Sequence, residues 1–207
     1  MFDVEMFVQD CHAALLEDQP HRAVREVVAR AVVAGDRVAA ALRPLTAGFT
    51  LLHQADDLTV LHVVWAPHMT IYPHDHRMWA VIGIYAGQED NRFFRRAAAG
   101  SGAITESGGK RLGEGEVAVL GVNTIHSVTN PRDQLTGAIH VYRGDFVKQP
   151  RSQWGPGPPV ERPYDIAEAR RQFVEANAMW RCAAPVAGRA AGDGFPVRST
   201  GYPVAHG

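Results

Sequence analysis

Two histidines separated by one residue, His74 and His76, lie in a stretch that otherwise has the composition of a β-strand. Side chains at positions i and i+2 of a strand point to the same face, with their Cα atoms about 7 Å apart. A third histidine, His126, lies in a later strand-like segment. Neutral imidazoles bind Fe, Zn, Ni and Cu, so three that converge would hold one metal ion. The histidine pair alone is weak evidence, because buried or solvated histidines are the usual explanation.

A second polar group is predicted in a late strand, where Ala138, His140 and Tyr142 alternate along one face. If His126 faces the interior of a barrel, His140 and Tyr142 can face it too. A buried phenol beside a buried imidazole would satisfy both polar tips with one hydrogen bond. The alternative is an ordinary tyrosine and histidine at a barrel mouth.

The elements that carry these residues are strands, preceded by helices. Residues 1–44 are predicted to form an N-terminal helical segment packed on the main domain, because apolar residues recur at helical spacing between Val24 and Val32. Residues 45–150 contain many short β-branched runs punctuated by Gly, Asn and Pro. This pattern indicates an antiparallel sandwich or barrel.

The remaining part of the chain, residues 151–207, is predicted to be a C-terminal extension of the same domain. It contains one helix, which Asp165 could cap, and a Pro/Gly-rich tail. Within the strand-rich region, the glycine pair that follows Ser107 is predicted to form a turn.

Composition excludes several classes of function. The 207 residues include 21 basic and 22 acidic side chains, so nothing indicates binding to nucleic acid or to a membrane surface. The two cysteines, Cys11 and Cys182, form neither a CxxC motif nor a disulfide framework. The chain also starts without the basic and apolar regions of a signal peptide. We therefore expect a cytoplasmic protein with free thiols.

The order of histidines, glycines and an asparagine resembles the two sequence motifs of the cupins, which are double-stranded β-helix barrels of the jelly-roll class. The resemblance implies a mainly β fold, a cupin barrel. The N-terminal helices predicted above would precede this barrel in the sequence, and the C-terminal helix would follow it. The matching residues are His74, His76, Gly87, Gly115, His126 and Asn130.

Two departures from the cupin motifs bear on the metal site. Ala80 stands where the usual glutamate ligand would be, which leaves a neutral three-histidine site. Gly121-Val-Asn123 replaces the P-x-G of the second motif. Glu89 lies beyond Gly87, in the predicted turn, and we do not expect it to be a ligand.

A more specific resemblance is to the cysteine dioxygenase family of thiol dioxygenases, and within it to the bacterial branch that includes mercaptopropionate dioxygenase. That family holds non-haem Fe(II) by three histidines and uses O2 to convert a thiol to a sulfinic acid. The resemblance covers roughly residues 45–180. It is carried by the segments His74-Asp-His-Arg-Met-Trp-Ala-Val-Ile-Gly83, His126-Ser-Val-Thr-Asn130 and His140-Val-Tyr142-Arg-Gly-Asp145.

The resemblance assigns roles to individual residues. The three histidines match the iron ligands, Tyr142 matches the tyrosine beside the thiolate and O2, and His140 matches the histidine that hydrogen-bonds it. The family's relay continues to a serine, and here Ala138 occupies that position. A cysteine that crosslinks to the tyrosine in the animal enzymes is absent, because the matching position is near Val81.

The substrate carboxylate requires a cation, and the planar fork of arginine suits it. In the bacterial branch this arginine follows the tyrosine by nine residues, where Arg151 stands, whereas residues 49–65 lack the early arginine of the animal enzymes. Arg143 and Arg77 are rivals, but both are offset from the metal-facing side. Trp79 is assigned to the substrate pocket, with the barrel core as its alternative.

These assignments imply an Fe(II)-dependent thiol dioxygenase whose partners are O2 and a small thiol acid, either 3-mercaptopropionate or cysteine. Two alternatives stay open. One is a metal-dependent cupin oxygenase that acts on a non-thiol organic acid. The other is a metal-binding cupin that works as a small-molecule sensor without catalysis.

Overall fold

The computed structural model describes residues 1–98, 100–157 and 160–183. The predicted Pro/Gly-rich tail lies outside these residues. The helices of the described chain are α1 (Val4–Ala14), α2 (Pro20–Val33), α3 (Gly35–Leu42) and α4 (Ile166–Ala183). The strands are β1 (Gly48–Gln54), β2 (Thr59–Trp65), β3 (Thr70–Asp75), β4 (Ala80–Ala86), β5 (Gln88–Arg96), β6 (Ile104–Gly113), β7 (Val117–Leu120), β8 (Ile125–Thr129), β9 (Thr136–Tyr142), β10 (Ser152–Trp154) and β11 (Glu161–Pro163).

The strands form two antiparallel sheets. One has the order β1-β2-β9-β4-β7 and the other has the order β11-β10-β3-β8-β5-β6. The eight strands β2 to β9 are divided between the sheets in the 2-9-4-7 and 3-8-5-6 orders of a jelly roll, in which two sheets face each other across one core. The mainly β cupin fold with N-terminal helices and a C-terminal helix is therefore confirmed.

The three central strands of the first sheet, β2, β9 and β4, are buried on both faces. In β4, Ala80, Ile82 and Ile84 point into the barrel core, while Val81 and Tyr85 point outward to a second core beneath the helices. Every residue of β2, β4 and β9 is buried for this reason. Strands covered on both faces lose the polar alternation of a half-exposed sheet, and these three have near-continuous apolar sequences.

Helix α2 provides most of that cover. Its apolar stripe, which includes Val24, Val28 and Val32, is buried, as the helical spacing predicts. The helix lies close to the strand at Gly83, where a Cβ atom would collide with the side chains of Val28 and Val32. Pro20 occupies the first turn, where its missing N–H costs nothing.

Helix α4 covers the open end of the barrel. It begins after Asp165, whose carboxylate accepts hydrogen bonds from the first helical N–H groups, as predicted. Phe173 stacks on Trp65 with ring centroids 5.3 Å apart. Asn177 exchanges two hydrogen bonds of 2.9 and 2.8 Å with the backbone of Ala47. The C-terminal helix is thus fixed to the first strand, and its apolar side closes the interior.

One predicted turn is a strand. Ser107, Gly108 and Gly109 lie inside β6 and pair with β5, where the register shifts between Phe93 and Phe94. Gly108 has a φ of 148°, which glycine adopts without strain at a bulge. Over the part of the chain that the structure describes, no helix has both the length and the apolar character needed to cross a membrane.

Candidate metal centre

The three histidines predicted from the motifs converge on one point. His74 at the end of β3 is paired directly with His126 on β8, and His76 follows two residues after His74. The Nε2 atom of His76 lies 3.2 Å from the Nε2 atoms of both His74 and His126. All three side chains are buried, and one ligand atom from each lies within 4.8 Å of the others. The group could hold a metal ion.

The hydrogen bonds on the far side of two rings direct their lone pairs inward. His74 Nδ1 donates to the carbonyl of Tyr72 at 2.9 Å. His126 Nδ1 lies 2.7 Å from the Oδ1 atom of Asn91. A neutral imidazole that donates from Nδ1 carries a lone pair on Nε2. Lone pairs facing each other at such distances repel unless a cation lies between them, so the donor set fits a metal ion.

Burial keeps these imidazoles neutral, which is the form that binds metal. Desolvation lowers the pKa of His74 to about 4, although the hydrogen bond to Tyr72 opposes the shift. The pKa values of His76 and His126 are held well below the usual range, first by burial and then by neighbouring histidines. All three imidazoles are therefore uncharged at neutral pH, each with a single N–H.

Asp75, between the two histidines of the pair, anchors the metal-binding strand. Its side chain is fully buried and points away from the imidazoles. One carboxylate oxygen accepts a 2.7 Å hydrogen bond from the backbone N–H of Ser152 on β10. The other oxygen pairs with Arg77 at 2.6 Å and Arg96 at 3.0 Å. These contacts fix the end of β3 against two other strands, which sets the direction of the histidine pair.

The second predicted group lies beside the histidines. The Nδ1 atom of His140 is 3.0 Å from the hydroxyl of Tyr142, and the ring of Tyr142 lies 5.0 Å from that of His76. Burial raises the pKa of Tyr142 well above its usual range, so the phenol stays neutral. Ala138 is fully buried on the same strand and supplies no hydroxyl.

Glu89 is a polar residue of this region that sequence reasoning placed in a turn. The structure places it in β5, fully buried. Its carboxylate accepts hydrogen bonds of 3.0 Å from the indole N–H of Trp65 and from the amide of Asn91. One of its oxygens lies 3.7 Å from Nε2 of His140. The sequence signal for this buried position was the alternation of two polar residues, Glu89 and Asn91, directly after the turn at Gly87.

Arg151 lies at the edge of the site. It is buried, and its guanidinium carbon sits 3.9 Å from the ring centroid of Phe146 and 4.0 Å from that of Tyr164. One Nη atom donates to the carbonyl of Phe146 at 2.5 Å. The Nε atom is buried and forms no hydrogen bond with any described residue. Arg151 itself is not part of the cavity wall, whereas both flanking rings are.

Trp79 lies outside the cavity, and its assignment to the substrate pocket is corrected. Its side chain packs on the outer core beneath the N-terminal helices, 6.4 Å from the ring of His21. The reason is the alternation of faces along a strand: Met78 and Ala80 keep the inward direction of His74 and His76, and Trp79, three residues after His76, points outward. This alternation holds although Arg77, with a left-handed φ of 56°, interrupts the strand between β3 and β4.

A small cavity of about 40 Å³ adjoins the histidines. Apart from the histidines its walls are mainly aromatic and aliphatic, and the described residues that form them include no carboxylate. Such a space accepts a ligand of a few heavy atoms unless side chains move. The lining residues are Phe49, Leu61, Val63, Trp65, Ile71, His74, His76, His126, Val128, His140, Tyr142, Phe146, Tyr164, Ile166 and Phe173.

Comparison with known proteins yields similarity to cupins. No protein-family model matches the sequence. The chain is similar to an RmlC-like cupin family protein with a double-stranded β-helix fold from Methanocaldococcus jannaschii, at 12% identity over 50% of this chain and 85% of that chain, with a TM-score of 0.41. It is also similar to a cupin superfamily protein from Desulfitobacterium hafniense, at 12% identity over 48% and 79% of the two chains, with a TM-score of 0.39. Oxalate decarboxylase from Bacillus subtilis matches at 13% identity over 44% of this chain and 22% of that chain, with a TM-score of 0.35. Similarity at this level does not identify a reaction.

Proposed function

We propose that this protein is a non-haem Fe(II)-dependent thiol dioxygenase that oxidises a small thiol acid, 3-mercaptopropionate or cysteine, to the sulfinic acid. The observation that carries the proposal is the placement of three neutral imidazoles, without a carboxylate ligand, beside the hydrogen-bonded pair of His140 and Tyr142. The reaction adds both atoms of one O2 molecule to the thiol, so it requires no further oxidant or reductant.

His74, His76 and His126 would hold the iron by their converging Nε2 atoms. Bound there, Fe(II) supplies a Lewis acid for the thiolate and a redox centre for O2. Because the three ligands are neutral, the site keeps the full charge of the cation, which favours an anionic sulfur. An acidic ligand would reduce that charge.

The residues around the open side of the metal exclude water and orient the reactants. Phe146, Tyr164 and Phe173 form much of the apolar wall. Tyr142 brings an uncharged hydroxyl group to the cavity beside the histidines, and His140 fixes its direction. Its contact with the S–H group of an incoming thiol would be a hydrogen bond in a low-dielectric site, where such interactions are strong.

Arg151 is the cation closest to this wall that could recognise a carboxylate. Its buried Nε–H is without a hydrogen-bond partner among the described residues, so a carboxylate would satisfy a donor that is otherwise costly to bury. The carboxylate would reach it between Phe146 and Tyr164, whose rings flank the guanidinium. Because the cavity lining within the described part of the chain has no carboxylate to receive an ammonium group, 3-mercaptopropionate is favoured over cysteine.

The test is O2 consumption after anaerobic reconstitution with Fe(II). The substrates are 3-mercaptopropionate, cysteine and cysteamine, with propionate as the acid that lacks a thiol. We expect uptake with the thiol acids, a sulfinate product and little uptake with cysteamine. No uptake with any thiol would remove the dioxygenase proposal. O2 uptake with a thiol-free organic acid would favour a cupin oxygenase that acts on a non-thiol substrate. Tight binding of one of these small molecules without turnover would favour a non-catalytic sensor.

Matched arginine variants test the carboxylate contact. Arg151→Ala should raise KM for the acids by roughly 10-fold or more, because a hydrogen bond to a charged group contributes about 1.5–3 kcal/mol. Arg143→Ala is the control, since that guanidinium is exposed and donates to the backbone carbonyl of Asp57. An equal effect of both substitutions, or equal KM changes for the acids and cysteamine, would remove Arg151 from the substrate site.

A further inference from the structure

Glu89 is a fully buried carboxylate that the metal ligands do not account for. Among the described residues, no lysine or arginine forms an ion pair with it. Its two oxygens instead accept hydrogen bonds from neutral donors, Asn91 on one and Trp65 on the other. Burying an acidic group in this way costs free energy, which is common where the group has a functional role.

On one side, Glu89 determines the orientation of Asn91. Because the amide Nδ2 atom of Asn91 donates to Glu89 at 3.0 Å, its Oδ1 atom must be the one that faces His126. That oxygen is only an acceptor, so His126 donates from Nδ1 and keeps its lone pair on Nε2. The carboxylate thereby fixes the tautomer of a predicted ligand through one intervening amide.

On the other side, Glu89 faces His140. The Nε2 atom of His140 is buried and has no hydrogen-bond partner in the described chain. A carboxylate oxygen of Glu89 lies 3.7 Å away from it. This is longer than a hydrogen bond, but a lone pair directed at a carboxylate is repelled whereas an N–H is attracted. The serine position of the relay is Ala138, which offers no alternative partner.

We infer that Glu89 is a positioning residue that holds His140 as the Nε2–H tautomer and thereby sets the polarity of Tyr142. With its proton on Nε2, His140 accepts at Nδ1, so the hydroxyl of Tyr142 must donate to it across 3.0 Å. The lone pairs of the phenol oxygen are then left for the cavity. Tyr142 acts there as an acceptor, and the group it recognises is a hydrogen-bond donor. Only this last step rests on the proposed function, in which the donor is the S–H group of an incoming thiol.

The tautomer of His140 can be measured without any catalytic turnover. The experiment is ¹⁵N NMR of the imidazole nitrogens in the intact, Zn(II)-loaded protein, with the signals of His140 assigned by their loss in His140→Gln. We expect a protonated Nε2 and an unprotonated Nδ1. A protonated Nδ1 with an unprotonated Nε2 would overturn the inference. The wild-type protein alone is enough for this measurement.

Two carboxylate substitutions separate positioning from general effects on the fold. Glu89→Gln can place an NH2 group towards His140, so we expect the proton to move to Nδ1. Glu106→Gln is the matched control, because Glu106 is an exposed carboxylate on the neighbouring strand β6. An unchanged tautomer in folded Glu89→Gln would refute the role of Glu89. If that variant does not fold, the wild-type spectrum still decides the polarity.

Activity provides an independent second readout. If the thiol proposal is also correct, Glu89→Gln should lower kcat for 3-mercaptopropionate at least 10-fold while KM changes little, and Glu89→Asp should restore part of it. The expected tautomer together with no thiol oxidation would refute the proposed reaction and leave the role of Glu89 intact. Thiol oxidation in a protein whose His140 carries its proton on Nδ1 would refute the role of Glu89 and leave the proposed reaction intact.

Discussion

Replacing Asn91 should weaken the metal site without touching a ligand. Asn91 is buried, accepts from His126 at 2.7 Å and donates to Glu89 at 3.0 Å. In Asn91→Ala, the Nδ1–H group of His126 loses its acceptor, and the ring is free to place its proton on either nitrogen. Only one of the two tautomers then presents a lone pair to the metal.

The magnitude follows from what the substitution leaves unpaired. A buried donor without a partner costs about 1–3 kcal/mol, and removal of a hydrogen-bond partner behind a metal-bound histidine typically lowers metal affinity 10–100-fold. At 1.4 kcal/mol for each factor of ten, the two figures agree at about 1.4–2.8 kcal/mol. Because the loss falls on the metal-loaded state, the expected result is a higher Kd for Zn(II) and Fe(II).

The assay is a chelator competition titration of the purified protein with each metal. Asn177→Ala is the matched control. Asn177 also forms two hydrogen bonds, but with the backbone of Ala47, which directly precedes β1. That variant should lower the free energy of unfolding and leave the metal Kd unchanged. Equal metal affinities for Asn91→Ala and the wild type would refute the proposal that the amide fixes His126.

Further predictions concern the neighbouring groups. Tyr142→Phe keeps the ring but removes the hydroxyl, so metal content should stay constant while thiol oxidation falls roughly 10²-fold, measured by O2 uptake. Asp75→Asn should lower the free energy of unfolding by roughly 2–4 kcal/mol in denaturant titrations, because the carboxylate is buried while its two arginine partners stay partly exposed. In the metal-free protein, the pKa of His74 is lowered from 6.5 to about 4, so only the unfolded chain binds this proton between those values. His74 alone should therefore lower the free energy of unfolding by roughly 3 kcal/mol as the pH drops from 6.5 to 4, His76 and His126 should add to this loss, and a flat profile in denaturant titrations over that window would contradict the burial of His74.

The convergence of the histidines could be read from the sequence because it depends on local rules. His74 and His76 share a strand end, and the motif spacing brings His126 onto the adjacent strand. The fold class followed from the number and punctuation of the strands. The outward placement of Trp79 follows from the same rule, because a residue three positions after His76 lies on the opposite face of a strand, and its assignment to the pocket did not apply that count.

The position of Glu89 depended on how tightly the chain turns at Gly87. The sequence was interpreted as a turn that continues past Glu89, whereas β5 begins at Gln88. Gly87 makes this possible with a φ of 81°, at a point where any Cβ atom would collide with Thr136. The tight approach involves a residue far along the chain, so no local pattern reveals it.

The location of Glu89 gives a physical reason for the lack of a carboxylate at Ala80. Ala80 faces the barrel interior, so a glutamate there would have reached the metal ligands directly. Here the acidic group instead acts through Asn91 and faces His140, which leaves three neutral donors around the cation. Coulomb interactions weaken with distance, so a cation held there would keep more of its attraction for an anionic ligand than it would with a carboxylate bound to it. Under the proposed function that anion is a thiolate, and Glu89 orients the rings of His126 and His140 beside it.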